Sequence, residues 1–443
     1  MQSEISRNSR QLTRFFIPLA VQAASQALSY PLVAMVASRG PGGPLNLAGL
    51  AQANIVMFFL GMFALSYITT GMVYATSREG YQKFRRAVLI TGLLVIAVQA
   101  TLCIPVLSRQ LFGNLIGLPP SIESPAKITL LVSIPLQFLF FLRTPYLVLM
   151  YVGKATGKAS IATVGRIVLT AILSPIFCFM GLVGPIWAVI CLTLPVAFEC
   201  LMARLFAHPF LRALKSATGV APRAGEIFYF NLPLSIGGYF LSASAIILGA
   251  FIARAPDPER VLPICYLALG LANPVAFAAT RIQTAVLAFP PQSHKDRLTF
   301  RFSLRAGAVL GLLPLVFILP GIIELYYVKL QKLLPTDMAL VRITAVALIC
   351  YPFSVAIRAQ SEGLAAWLKK PTTVLAGHAV FMGTIFVCGF LSIFLGAPGY
   401  VICAAGLTLG SLASSATMRV LLNWAKEKAI PVAPTTTSVG QIR

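Results

Sequence analysis

The chain has 443 residues, 58% of them hydrophobic and only 11% charged, with a mean hydropathy of +0.85 and a formal net charge of +23. Water-facing domains carry about 25% charged residues, so this composition excludes a soluble enzyme, a soluble nucleic-acid-binding module and a disordered chain. What remains is an all-α polytopic membrane protein, in which the position of each cation relative to the apolar runs decides the topology.

A helix that crosses a bilayer needs about 20 mostly apolar residues. Twelve runs qualify in chain order: 12–38, 46–76, 87–111, 127–152, 160–181, 185–207, 225–253, 261–289, 300–328, 338–366, 372–395 and 399–424. Prolines inside them do not veto helices, because neighbouring helices re-satisfy the freed carbonyls. The run from Leu12 is too long for a cleavable signal and is expected to be the first transmembrane helix. Of the 35 Lys and Arg, 23 fall on one side of this topology, the side of both termini, and 8 on the other. Cytoplasmic loops are the cation-rich ones, so both termini are expected in the cytoplasm, in a bacterial inner (plasma) membrane. The same rule accounts for the charge without any nucleic acid. The eight cysteines all sit in apolar runs without CxxC pairs, and are expected to be small core residues.

The sequence repeats at an offset of 215 residues. Phe15, Pro18 and Leu19 meet Phe230, Pro233 and Leu234; Arg86 meets Arg301; Arg143 meets Arg358; Lys154 meets Lys369; Gly181, Gly184 and Arg204 meet Gly396, Gly399 and Arg419. Rare Arg, Lys, Pro and Gly would not coincide this way in a Leu/Ala/Val-rich chain. The expected domains are therefore an N-terminal six-helix lobe (1–207), a basic cytoplasmic linker (208–223), a C-terminal six-helix lobe (224–424) and a disordered tail (425–443). Six is even, so the two copies are parallel repeats, a build that transporters use with the substrate between the halves.

Four arginines lie deep inside spans, away from their ends: Arg143, Arg166, Arg281 and Arg358. Arg143 and Arg358 each precede a boundary lysine by about 16 Å at 1.5 Å per residue, which is mid-depth in a hydrocarbon core about 30 Å thick. Arg281 is about 14 Å from Pro290 on the same scale. Each such arginine costs roughly 2.5–3.5 kcal/mol to insert, so a protein interior or wet cavity is expected around it. A guanidinium stays charged and presents a fork that matches carboxylate or phosphate oxygens. Arg143, Arg281 and Arg358 are therefore candidate ligands for an anion. The alternative is internal pairing, Glu362 with Arg358 one turn away and Glu199 with Arg166. Neither Arg143 nor Arg281 has an acid in its own span. Gln22, Gln26, Ser29 and Tyr30 in the first span, and Ser235, Tyr239 and Ser242 in the seventh, could complete a site or bond to adjacent helices. The histidines are scattered, and no HExxH, Walker-type loop or paired transmembrane acids occur. No cofactor and no enzyme activity are expected, and transport would be gradient-driven.

Arg14-Phe-Phe-Ile-Pro18 and Phe230-Asn-Leu-Pro233 open the two halves, and this pattern resembles the MOP exporter superfamily with its MATE-like fold. Within that group the stretch Arg358-Ala359, Gly363, Leu368-Lys369-Lys370, preceded by Tyr351-Pro352-Phe353, is most similar to the progressive ankylosis proteins. The segment around Arg281 and Ala288-Phe289 is similar in outline. The resemblance implies an exporter of small multivalent anions such as pyrophosphate, citrate or nucleotide-like organic anions. The expected site comprises Arg143, Arg281, Arg358, Gln22, Gln26, Tyr239 and Glu362, with H+ or Na+ as a possible coupling ion, in a monomer embedded in the lipid bilayer. The alternatives are a flippase for a lipid-linked, pyrophosphate-bearing precursor, a MATE-type multidrug antiporter, and a non-transporting receptor or scaffold.

Overall fold

The computed structural model describes residues 2–26, 29–116, 118–216, 222–252, 254–291, 297–330 and 335–426. In chain order the α-helices are α1 (Gln2–Gln26), α2 (Ser29–Ser38), α3 (Pro44–Leu60), α4 (Met62–Tyr74), α5 (Arg78–Leu102), α6 (Pro105–Arg109), α7 (Pro120–Val132), α8 (Ile134–Val152) and α9 (Thr156–Phe179). There follow α10 (Pro185–Ala213), α11 (Ala224–Ile252), α12 (Pro258–Thr280), α13 (Ile282–Ala288), α14 (Leu298–Leu312), α15 (Met338–Ala347), α16 (Cys350–Trp367), α17 (Pro371–Phe394) and α18 (Gly399–Lys426). Proline opens α3, α6, α7, α10, α12 and α17, where its missing N–H would be unpaired anyway and its φ is already helical.

Ten helical stretches among the described residues are long and apolar enough to cross a membrane. The other two expected spans, the first and the eighth, are each described in two helices. The eighth is divided into α12 and α13 at Arg281, and the first is described as α1 and α2 on either side of residues 27–28, which lie outside the described residues. The outside of the fold is greasy, with Phe179 and Phe394 94% and 87% exposed. Such a surface suits lipid rather than water, and the chain is an integral, multi-pass membrane protein. All eight cysteines are free. The expected tail falls almost wholly outside the described residues.

The third span is displaced from its expected place. The helix runs over Arg78–Leu102 rather than 87–111, because Ser77 caps it by accepting from the Gly80 N–H and Glu79 stands in the first turn. Side-chain capping and an acidic first turn outweigh hydropathy here. Lys83, Arg85 and Arg86 are therefore on a helix and not in a loop. The ninth span is likewise shorter than 300–328: α14 ends at Leu312 and continues as a tighter 3₁₀ turn to Ile318.

The 215-residue register is visible in the backbone. Helices α9 and α17 begin and end at equivalent residues, as do the ends of α8 and α16. The interruption at Ser133 between α7 and α8 recurs at Leu348 between α15 and α16. Lys154 and Lys369 both have φ of 55°, and Gly181 and Gly396 have φ of 72° and 64°. The two glycines sit just past helix ends, where Leu182 N–H bonds Phe177 O and Ala397 N–H bonds Ser392 O, each 5 residues back. That closure needs a left-handed residue, for which glycine is the cheapest choice.

The chain clusters into two compact units, Met1–Met150 with Thr156–Ser242, and Tyr151–Ala155 with Ala243–Arg443. The division falls inside α11, not in the 208–223 linker. The reason lies in the first unit, where the early turns of α11 are bonded to α4. Thr70 donates to Asn231 at 2.8 Å, Ser66 and Ser235 share a 2.6 Å hydrogen bond, and Tyr74 meets the Phe230 ring edge-on. The first unit has a core of Val33, Val36, Leu50, Leu136, Val189 and Val196, among others, drawn from α2, α3, α8 and α10. The second has one of Ile264, Ile323, Tyr327 and Val341. Close approach rests on small residues, as expected where lipid removes the hydrophobic drive between helices. A Cβ on Gly377 would stand 2.6 Å from Met418 on α18, and one on Gly410 2.9 Å from Phe381 on α17.

Gly181→Ala and Gly396→Ala should each lower unfolding free energy by about 1 kcal/mol, the left-handed penalty. Gly157→Ala, where an added Cβ meets nothing within 4 Å, should not. Thermal unfolding in detergent checks this, and equal midpoints for all three would refute the left-handed requirement.

Candidate functional site

Each unit buries one polar cluster inside its spanning helices. In the first unit the centre is Glu199 on α10, fully buried. Both its oxygens are used. Thr163 on α9 donates to Oε1 at 2.5 Å, while Arg143 on α8 and Arg166 on α9 both donate to Oε2, Arg166 at 3.1 Å. Gln22 on α1 donates its amide N–H to the Thr163 hydroxyl at 2.8 Å. Thr163 and Arg166 are one helical turn apart and face the same way. Four helices thus converge on one carboxylate, and two guanidiniums share it. Arg143 is the more accessible of the two, its side chain 11% exposed against 4% for Arg166. Its guanidinium also lies 4.8 Å from the Phe140 ring centroid.

In the second unit the centre is Glu362, one turn after Arg358 on α16. Arg358 Nε stands 3.1 Å from Glu362 Oε1, and His378 Nε2 on α17 stands 2.9 Å from the same oxygen. The Arg358 contact is an ion pair whose N–H does not point along it, since Nε has no directed hydrogen bond. Beneath the guanidinium, 5.0 Å away, is the Phe381 ring. His378 Nδ1 is buried with no hydrogen-bond partner among the described residues. A flanking layer follows, in which Arg419 on α18 donates to Gln360 at 2.9 Å and to Ser361 at 3.1 Å, and stacks 4.4 Å over the Phe300 ring.

The repeat register relates the clusters residue by residue. Arg143 corresponds to Arg358, Thr163 to His378, Arg166 to Phe381 and Glu199 to Ser414. The arginine stays in place while its counter-charge changes helix, from α10 in one half to the arginine's own helix in the other. The neighbour at one shared position is a second cation in one half and an aromatic face in the other.

Among the residues expected in a site, Gln22 and Arg143 are brought together through Thr163 and Glu199, and Arg358 and Glu362 meet directly. Arg143, which has no acid in its own helix, receives one from α10. Arg166 pairs with Glu199 as its adjacent span suggested. Arg281 is half-buried at the α12–α13 junction, its N–H on Ala278 O and its carbonyl accepting from Ala285. Tyr239 packs instead on Phe59 and Phe63, with ring centroids 4.4 and 6.2 Å away. Gln26 is half-buried, one turn beyond Gln22. The side chains of Ser29 and Tyr30 lie outside the described residues. Thr163 and His378 were not singled out by the sequence. Their sharing of one repeat position was the available signal.

The sequence matches no known family profile and no curated protein, but solved structures match in fold. The eukaryotic MATE transporter AtDTX14 superposes with a TM-score of 0.72 at 14% identity, covering 96% of this chain and 98% of that one. A variant of the Vibrio cholerae MATE transporter VcmN gives 0.73 at 17%, covering 95% and 98%. A MOP superfamily transporter from Pyrococcus furiosus, described as having a binding pocket of reverse polarity that suggests a different function, gives 0.70 at 15%, covering 95% and 96%. The fold is that of the MATE-type MOP superfamily transporters. At these identities the likeness is one of architecture.

Removing the shared carboxylate leaves two buried guanidiniums unbalanced, a change that costs about 3–5 kcal/mol when a buried pair is broken. Glu199→Gln should destabilise the protein by that order, and adding Arg166→Met should recover part of the loss. A double-mutant cycle on unfolding in detergent measures it, and strict additivity would refute the coupling.

Proposed function

We propose that this protein is a secondary transporter that exports small multivalent anions, of the class of pyrophosphate, citrate or nucleotide-like organic anions. One observation carries the reading. Within the spanning helices the first unit holds Arg143 and Arg166 against Glu199, while in the second Arg358 pairs with Glu362 and Arg281 stands at the α12–α13 break. The first cluster therefore holds two guanidiniums to one carboxylate. An interior with that balance suits an anion and repels the cationic load of a multidrug antiporter. The Pyrococcus furiosus neighbour supports the idea that this fold accommodates a pocket of changed polarity. The likeness of 358–370 to the ankylosis proteins points in the same direction.

The chemistry of binding follows from the clusters. An anion arriving at Arg143 or Arg358 meets a guanidinium already held by one carboxylate, with its remaining N–H donors available for bidentate contact. Gln22 and Thr163 orient Glu199 and keep its charge on the arginines. Arg281, at a break in the eighth span, adds a third donor fork. Irregular backbone at that depth is tolerated where it lines a cavity or is buried in protein. The six-helix halves, 1–207 and 224–424, would rock about the site. Outward movement of a divalent anion runs down an inside-negative potential. At about 2.3 kcal/mol per charge per 100 mV, that gradient alone supports export.

H+ or Na+ would be the coupling ion, and Glu362 is the carboxylate it would act on. Arg358 and His378 compete for one oxygen of Glu362. An anion that drew Arg358 away would leave Glu362 to His378 alone.

Uptake of labelled pyrophosphate and citrate into inverted vesicles tests the site. Arg281→Ala and Arg358→Ala should each cut the rate by about tenfold or more, the loss of one charged hydrogen-bonding partner. Parental rates in both would end the anion-site reading. If the vesicles move a lipid-linked pyrophosphate but neither free anion, the protein is a flippase.

A further inference from the structure

A second site lies apart from both clusters, on the flank of the first unit. Helices α5, α8 and α10 enclose a cleft of about 480 Å³. Its polar groups come in helical pairs: Tyr81 and Arg85 on α5, four residues apart, and Arg204 and His208 on α10, also four apart, with Tyr146 of α8 beside them. Its floor is leucine, chiefly Leu139, Leu142 and Leu149 of α8. Arg85, Arg204 and His208 are exposed, and neither arginine makes an ion pair among the described residues. Tyr81 is 2% exposed, and its hydroxyl has no hydrogen-bond partner among the described residues. That hydroxyl is within electrostatic reach of Tyr146 and Arg85. Buried hydroxyls are nearly always bonded, so a donor at the wall of a cationic cleft lacks its acceptor.

The surroundings identify what would supply that acceptor. The cleft borders surface that faces hydrocarbon, since Leu201 and Leu205 on α10 are 55% and 57% exposed, and Leu93 and Leu94 on α5 are both 58% exposed. Arg85 is about 10 Å along α5 from its first residue, at the end of the spans where the loop cations concentrate. A phosphodiester at that level accepts from both guanidiniums and from the Tyr81 hydroxyl, while an acyl chain covers the leucines. A headgroup that carries its own ammonium would bring a like charge to Arg85 and Arg204. We propose that this cleft is a binding site for one anionic phospholipid of the adjacent leaflet, its phosphodiester between Arg85 and Arg204 and one acyl chain along the leucines of α8. The site is independent of the transported anion and makes no use of Arg143, Arg281 or Arg358.

The test uses the full-length protein in detergent and phosphatidylglycerol with a photoactivatable group on its acyl chain, the adducts being mapped by peptide mass spectrometry. Adducts are expected in 139–149 and 197–211. Unlabelled phosphatidylglycerol should suppress them, and phosphatidylcholine or excess inorganic phosphate should not. Arg85→Gln with Arg204→Gln should reduce them by about tenfold or more, the arithmetic of losing two basic contacts, and Tyr81→Phe by a smaller factor. Arg85→Gln alone, at an exposed position, serves if the double variant does not fold, with a loss of about fivefold expected from one contact. Equal suppression by phosphatidylcholine, displacement by inorganic phosphate, adducts only outside these segments, or undiminished labelling of the variants would each overturn the proposal.

Discussion

Everything in this structure answers to one constraint: a charge or backbone polar group within the hydrocarbon must find its partner inside the protein. The arginine at position 143, repeated at 358, is where the constraint bites hardest, because a guanidinium cannot shed its proton to escape burial. The two halves solve the problem differently. In one, Glu199 reaches across from α10 and is shared with Arg166. In the other, Glu362 is supplied from one turn along the same helix and steadied by His378. After duplication the cation kept its place and the anion did not. This is the pattern expected if the cation has the role and the carboxylate is its local compensation.

Much of the fold was legible because membrane insertion simplifies the code. Apolar runs of sufficient length gave ten spans directly, and the 215-residue register extended to helix ends and to the left-handed Lys154 and Lys369. The misplacements have local causes. The third span begins early because a serine cap and an acidic first turn set its start, signals that hydropathy averages away. Within the site, the Arg358–Glu362 pair was readable from helical spacing alone. The Arg143–Glu199 pair was not, since the two residues are far apart in sequence and meet only when α8 packs against α10. Thr163 and His378 were hidden for the same reason. A hydroxyl or a lone imidazole acquires meaning from what it touches, and the sequence shows only its depth.

The repeat register and the compact units divide the chain at different places, and the difference is physically informative. By sequence, α11 opens the second half. By packing, its first turns belong with α4, through Thr70–Asn231 and Ser66–Ser235. These are neutral hydrogen bonds between short polar side chains, which in membranes average well under 1 kcal/mol each. Contacts of that strength can hold a helix in one arrangement and release it without a large barrier. The charged clusters are built in the opposite way, each inside one unit and strongly coupled.

The internal carboxylates also bear on affinity. A bare mid-membrane guanidinium would bind a multivalent anion so tightly that release would limit turnover. On the proposed anion-carrying reading, sharing each arginine with a glutamate would lower the field that a substrate meets, yet two arginines to one glutamate in the first unit leave it positive. Binding then becomes an exchange of one carboxylate for another, or for a phosphate, with a modest difference in free energy between the two states. A carrier needs that near balance, because the substrate must be able to leave on the far side. On the reading proposed above, the surplus of arginine over glutamate in the first unit would set the sign of what is carried, and the glutamates would keep the hold loose enough for release.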